Sequence, residues 1–236
     1  MIKSIVLLSL IISFSTCNAN DVNYSYIEAV YKFYYKNLKA GEMFLKISKN
    51  DKNINISTTY KGNILASLAN RDFREEISNS IIKGKEFYPK NYSFKDNKSS
   101  YKIIYNSNKE AKLIDEDSEG MELLIESESN IHDPLYLLVI LMNKYPNVNS
   151  YYYTISKGRL KKYDYTYKDN QTMTINNKKF QGYSAKYTSP LIGSSGKKTN
   201  FYFFSEEHKN LMVYTSIFKN NKERLRIELS EIISIK

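Results

Sequence analysis

The sequence predicts a mainly β protein: a single curved antiparallel sheet, half-open or partly closed into a barrel, with one short buried apolar helix near residues 134–144. Three observations carry this expectation. Through most of the chain after residue 20, apolar and polar residues alternate with period two, the pattern of strands with one buried face. Short polar turns rich in Asn, Asp and Lys separate these runs, as in an antiparallel meander. One run, Leu135 through Met142, is apolar throughout and fits no half-buried strand.

Residues 1–19 read as a cleaved secretory signal. Lys3 gives the positive start, residues 5–14 the apolar run, and Cys17-Asn18-Ala19 a small-x-small cleavage site. The apolar run is too short to span a bilayer. Residues 20–236 are then one β-rich exported domain, expected in the periplasm with no transmembrane span. Cys17, the only cysteine, offers an alternative as the acylated first residue of a membrane-anchored lipoprotein. Phe14-Ser15-Thr16 lacks the Leu-like residue and the Gly or Ala that such a signal usually carries, which favours cleavage after Ala19. A chain with one cysteine forms no disulfide within itself and no thiolate metal cluster.

The first three strands form the meander. Tyr31, Phe33 and Tyr35 share one face of the first, with Lys32 and Lys36 on the other, and residues 37–41 are expected to turn the chain. Met43, Leu45 and Ile47 alternate with Glu42, Lys46 and Ser48. After the polar residues 50–53, a third strand carries Ile54, Ile56, Thr58 and Tyr60. Residues 62–70 have room for a helical turn, and residues 73–81 read as a strand. Tyr88-Pro89 is expected to interrupt a strand that resumes through Tyr92 and Phe94. Tyr101, Ile103 and Tyr105 alternate again, and Leu113 and residues 121–125 mark two further strands.

Asp133-Pro134 opens the helix. An Asp carboxylate at the N-cap accepts a free backbone N–H, and proline at the first helical position loses nothing by lacking one. Pro146 stops the helix. A short helix that is apolar all round must be buried, either as the wall of a lipid cavity or as an ordinary core helix against the sheet.

Strands resume at Tyr151. Tyr163, Tyr165 and Tyr167 share a face, as do Met173 and Ile175, and residues 176–179 turn into a strand over 180–187. Residues 189–198, with two glycines and a proline, read as a loop. The last strands are expected over 199–204, 211–218 and 224–232, joined by polar turns at 206–210 and 219–222. No linker divides the chain.

Catalytic motifs are missing. His132 and His208 have no second ligand at a recognisable spacing, and no nucleophile elbow occurs. Ser-x-x-Lys at Ser99, Ser194 and Ser195 is expected by chance in a chain rich in Ser and Lys. Residues 193–199 only faintly resemble a phosphate loop, lacking its leading glycine and its magnesium-binding hydroxyl. Residues 115–119 lack the glycine and terminal glutamate of a calcium loop, so a solvated turn explains them. No enzyme, metal or cofactor is implied.

The net charge of +10 rests on lysine, since arginine occurs only at 71, 74, 159, 224 and 226. Arginine supplies the fork that reads phosphate and base edges, and the lysines are scattered, so nucleic acid is excluded as a partner. Attraction to anionic lipid or polysaccharide remains physically reasonable. The 22 tyrosines and 11 phenylalanines are the remaining signal. They suit a concave sheet that holds an acyl chain or a glycan, and equally the half-buried faces that tyrosine ordinarily fills.

Several short motifs together resemble a known family. They are Tyr31-Lys32-Phe33-Tyr34-Tyr35, Leu38-Lys39-Ala40-Gly41-Glu42-Met43, Asp133-Pro134-Leu135-Tyr136, Gln181-Gly182-Tyr183 and Tyr202-Phe203-Phe204-Ser205-Glu206-Glu207. Their order resembles the bacterial exported family catalogued as domain of unknown function 3108, over nearly the whole chain after the leader. The Trp usual near Phe203 and the Pro usual near Met212 are absent, as in a divergent member. The resemblance implies an envelope location and a β-rich fold, and no catalytic residues. The expected role is a non-catalytic periplasmic protein that holds a lipid or other hydrophobic small molecule, with Tyr31, Phe33, Tyr35, Met43, Leu45 and Leu138 lining the sheet face. The alternatives are a scaffold for an envelope protein partner, using strand edges or the 189–198 loop, and a hydrolase of envelope polymers.

Overall fold

Hydrogen-bonded antiparallel neighbours build almost the whole molecule. A computed structural model describes residues 24–67, 72–83, 86–117, 121–143, 150–156, 159–190 and 196–236. Residues 1–19, read above as a secretory signal, and Cys17 among them lie outside the described residues. The first strands are β1 (Tyr26–Tyr35), β2 (Leu38–Lys49) and β3 (Asn53–Gly62), followed by a single helical turn, α1 (Ile64–Ser67). Then come β4 (Phe73–Lys83), β5 (Glu86–Asp96), β6 (Ser100–Tyr105), β7 (Glu110–Asp115), β8 (Glu122–Glu126), β9 (Ile131–His132) and the helix α2 (Pro134–Met142). The chain continues through β10 (Ser150–Ser156), β11 (Arg159–Ile175), β12 (Lys178–Pro190), β13 (Lys197–Ser205), β14 (Leu211–Lys219) and β15 (Lys222–Ile235).

All fifteen strands join one sheet, in the order β8-β7-β6-β5-β4-β3-β2-β1-β15-β14-β13-β12-β11-β10-β9. The terminal strands of that order, β8 and β9, are consecutive in sequence and separated only by residues 127–130. From Glu126 to Ile131 an extended chain reaches at most about 18 Å. The sheet must therefore curl until its two edges nearly meet. Ser127 N–H donates to Lys109 O at 2.9 Å and Ile131 N–H to Asn108 O at 2.6 Å, which ties the crossing segment to the β6–β7 turn.

Turn chemistry sets the registers. Lys36-Asn37, Asn176-Asn177 and Asn220-Asn221 all have positive φ, from 49° to 67°. Paired positive φ is what a two-residue hairpin matched to the strand twist requires, and asparagine tolerates it best. The first turn is thus Lys36-Asn37, with Leu38–Gly41 already in β2, which shortens the expected turn over 37–41. Tyr88-Pro89 does not break β5. Pro89 pairs with Ser80 and Asn91 with Asn79, so Lys90 is the extra residue of a bulge, and a bulge accommodates a proline that cannot donate to the ladder. The expected loop at 189–198 is narrower, since Ser189 pairs with Lys198 and Pro190 with Lys197. Residues 191–195 lie outside the described residues. One pairing departs from the antiparallel expectation. β9 runs parallel to β10, because α2 supplies the crossover that parallel neighbours need.

The concave face holds the core. Ile27, Tyr31, Met43, Leu45, Ile47, Ile54 and Ile56 are almost fully buried, and Val139, Ile140, Leu141 and Met142 of α2 pack onto them. Asp133 caps α2 as expected, accepting from the N–H groups of Leu135 at 2.9 Å and Tyr136 at 2.8 Å. Helix and wall are then fastened by polar groups. The Tyr183 hydroxyl donates to Leu141 O at 2.7 Å, and Ser78 donates to Asp133 at 2.7 Å. A second apolar cluster of Ile175, Phe180, Phe203 and Val213 sits on the other face of the sheet. Its members show that the tip of the long β11–β12 hairpin folds over β13 and β14. Gly182 lies where that hairpin meets β13, and a Cβ there would stand 1.8 Å from Phe204 O.

Candidate functional site

The alternation that builds the strands also divides the concave face into two ends. At the end where β1 begins and β2 ends, α2 fills the space. Tyr24, just before β1, reaches the Met142 sulfur, and Phe87 packs on Tyr136 with ring centroids 5.0 Å apart. At the opposite end, near the β1–β2 turn, the inward positions are aromatic and polar.

The residues that the sequence nominates as lining fall mostly in the packed part. Tyr31, Met43 and Leu45 are fully buried core, and Tyr31 donates to Met212 O at 2.8 Å. Leu138 is half-buried on α2. Phe33 is buried beside the polar end, edge-on to Tyr60 with centroids 6.2 Å apart. Tyr35 lies at the end of β1 and is 39% exposed. Of the six, Phe33 meets the place where polar groups gather, through Tyr60.

That place is centred on Arg74 and Glu76 of β4. Glu76 is 3% exposed and faces inward. One of its oxygens takes an ion pair from the Arg74 guanidinium, and the other accepts from the Tyr92 hydroxyl at 2.5 Å. The Arg74 guanidinium lies over two rings, 5.0 Å from the Phe94 centroid and 5.5 Å from that of Tyr60. Burial draws the Arg74 pKa down, but the Glu76 carboxylate outweighs it and the net shift is upward. The pair is a fixed, internally neutralised dipole clasped by aromatic faces.

The opposite wall is tyrosine. Tyr163 and Tyr187 pack with centroids 4.6 Å apart, and Tyr165 lies 5.9 Å from Tyr187 and 6.2 Å from Tyr202. Burial pushes the Tyr60 and Tyr202 phenols up to about 12, and Tyr165 well above the ordinary value. The Glu76 charge adds to the rise at Tyr202, and Tyr202 adds to that at Tyr60. The β13 wall therefore faces β3 and β4 across the interior. Two buried oxygens on these walls, Thr58 Oγ1 and Asn200 Oδ1, have no hydrogen-bond partner within the protein. Thr58 is 3% exposed and Asn200 8%. Buried polar atoms without partners are rare in folded proteins and call for an explanation at each site.

Chemically, this arrangement presents flat aromatic faces, protonated phenols and unsatisfied acceptors. The phenols of Tyr60, Tyr92, Tyr165 and Tyr202 are all shifted away from their nucleophilic form. Among the described residues, no group of three His, Cys, Asp or Glu side chains could hold a metal. His132 lies between the rings of Tyr136 and Tyr152, and burial pushes its imidazole down to about 4. His208 meets Ser205 Oγ through Nδ1 at 3.0 Å and lies tilted against Phe180, with ring centroids 5.7 Å apart. Glu116 and Asp117 of the acidic stretch hold the β6 start, accepting from the Ser100 hydroxyl and the Ser100 N–H.

Sequence reasoning missed Arg74, Glu76, Thr58 and Asn200 as a group. The available signal was the phase of β4, where Glu76, Ser78 and Ser80 take the inward positions and Ile77 is not buried.

No family model matches the chain. No curated protein matches it either. Among solved structures, it is similar to the crystal structure of a beta-barrel-like protein of domain of unknown function DUF1849 from Brucella abortus. The TM-score is 0.54 at 8% identity, over 91% of this chain and 99% of that one. At that identity the likeness is one of fold: a β-barrel-like domain of unknown function. Its family number differs from the 3108 family that the short motifs resemble.

Proposed function

We propose that this protein is a non-catalytic exported component of the bacterial envelope, a divergent relative of the 3108 family, that holds an amphipathic small molecule at the tyrosine end of its sheet. The observation that carries the reading is the gathering of the Arg74–Glu76 pair, the phenols of Tyr60, Tyr92, Tyr165 and Tyr202, and the unpartnered oxygens of Thr58 and Asn200 at one end of a curved interior. A ligand with hydroxyl or amide donors satisfies those oxygens, and its apolar part lies on the rings. Binding sites of this kind are apolar and aromatic, with a few placed polar groups. Export is supported by the leader at residues 1–19.

With no tryptophan, emission comes from the 22 tyrosines together, so the difference between the protein and Tyr202→Phe is what assigns a change to this site. Native mass spectrometry of protein purified from its own host is expected to show a bound amphiphile. Titration of lipid-free protein with a lysophospholipid or an alkyl glycoside is expected to change tyrosine emission saturably, and less so in Tyr202→Phe. A protein mass free of adducts, together with no saturable change for either probe, would overturn the proposal.

A further inference from the structure

The sheet ends on one side at β8, and its free edge differs from the rest of the surface. Asp115 N–H donates to Met121 O, and Ser127 N–H donates to Lys109 O. With the Leu113–Leu123 and Ala111–Ile125 pairings between them, these fix the alternation of the ladder. The backbone groups of Leu123 and Ile125 face β7, and those of Glu122, Leu124 and Glu126 face away from it. No described strand lies beyond β8 in the sheet. Side chains mark the same edge. Met121 is 66% exposed, Leu123 45% and Leu124 55%, so apolar residues stand out on both faces of one short strand. Natural proteins usually blunt such an edge with lysine, proline or a covering segment.

Charge says what the edge would take. In a chain of net charge +10, this corner is acidic. Glu110 and Glu126 stand directly opposite each other across the β7–β8 pair, a like-charge pairing that destabilises a sheet unless a cation intervenes. Glu110, Glu126 and Glu128 border one surface hollow in which Lys109 is the single basic residue, and Asn106 donates to Glu110 at 2.6 Å, so the hollow keeps an acidic excess. At the other end of β8, Glu122 is engaged by Lys112. A second copy of β8 paired antiparallel would set Glu122 against Glu126 and add repulsion, so self-pairing is disfavoured.

We infer that the free edge of β8 is a docking site for an extended segment of a partner protein that adds to the sheet as a further antiparallel strand, with apolar residues over Leu123 to Ile125 and a Lys or Arg beside the Glu110–Glu126 pair. Main-chain hydrogen bonds to Glu122, Leu124 and Glu126 supply the pairing, and the basic residue supplies selectivity. This surface lies apart from the tyrosine end and stands whether or not a small molecule binds there.

The test uses the peptide acetyl-Lys-Val-Val-Val-Lys-amide and amide hydrogen exchange read by NMR. Saturating peptide is expected to slow exchange at Glu122, Leu124 and Glu126 by about tenfold or more, with little change at Leu123 and Ile125. The same peptide with Glu in place of both Lys is expected to bind at least about tenfold more weakly at low salt. Leu124→Pro removes an outward N–H while leaving the β7 ladder intact, so it is expected to fold and to lose binding, whereas Leu124→Thr is expected to retain it. Unchanged exchange with the basic peptide would overturn the inference, as would undiminished protection in folded Leu124→Pro. Protection that grows with protein concentration and without peptide would also overturn it, by making a second copy the occupant.

Discussion

The two ends of the concave face are made by the same strands and do different work. At one end, inward positions on β1, β2 and β3 are Ile27, Leu45, Ile47, Ile54 and Ile56, and α2 lies on them. At the other, a few residues along the same strands, the inward positions become Phe33, Thr58 and Tyr60, facing Arg74, Glu76 and Tyr202. The first end gains from removing apolar area from water, about 25 cal/mol per Å². The second gives up part of that gain to hold buried polar groups, two of which lack partners. Ser80 Oγ and the Tyr105 hydroxyl near Asp133 also lack partners, so what sets the tyrosine end apart is the Arg74–Glu76 pair held among its rings.

The strongest way to break this contrast is to hollow out the helix end. Leu141→Ala removes a 1% exposed side chain and is expected to cost about 3 kcal/mol in urea unfolding, with alkyl glycoside binding unchanged in the folded protein. A loss below about 1 kcal/mol would mean that α2 does not act as a stabilising plug.

Where the helix begins, two adjacent titrating groups oppose each other. Burial pushes the Asp133 carboxyl up to about 6 from 3.8, so protonation favours the folded state. Its contribution is complete below the unfolded value and is lost as pH rises through 6. Burial pushes His132 down to about 4 from 6.5, so its contribution is present above 6.5 and lost as pH falls through 4. Between these values the two nearly cancel, and unfolding free energy is expected to stay flat. On lowering the pH across the window, His132→Asn is expected to gain roughly 2 kcal/mol and Asp133→Asn to lose a similar amount. Parallel pH profiles for the two variants would sink the assignment.

At the tyrosine end the effects are smaller. Glu76→Gln keeps an acceptor for Tyr92 but removes the charge that faces Arg74, and is expected to cost about 1.5 kcal/mol. The loss is limited because the Arg74 side chain is 46% exposed and can hydrate. Denaturant midpoints at equal m would measure it. Thr58→Val is the smallest change and has the opposite sign. Removing a buried hydroxyl without a partner is expected to stabilise the ligand-free protein by about 1 kcal/mol while weakening alkyl glycoside binding. Destabilisation by Thr58→Val would show that its hydroxyl is already satisfied.

Particular elements explain what was legible. β1 to β3 could be read from alternation because their partners are apolar and any buried face suffices. Asp133-Pro134 announced α2 because capping is a contact between residues two and three apart. β4 was read as a strand without its facing, since Ser78 turns inward to meet Asp133, 55 residues away, and Glu76 meets Tyr92, 16 residues away. Tyr31, Met43 and Leu45 lie buried on the concave face, and alternation does not distinguish a wall covered by a helix from a wall facing a ligand.

By itself, the sequence determined the strands, the asparagine turns, the capped helix and the mainly β class, because each rests on steric and hydrogen-bonding rules that act within a few residues. Only the tertiary structure decided that the two terminal strands of the sheet nearly meet, that α2 fills one end, that Glu76 turns inward with Arg74 half-exposed beside it, and that no described strand pairs beyond β8. Those outcomes depend on which distant groups arrive beside one another, and a buried charge or an unpaired strand edge is defined only by the neighbours it has or lacks.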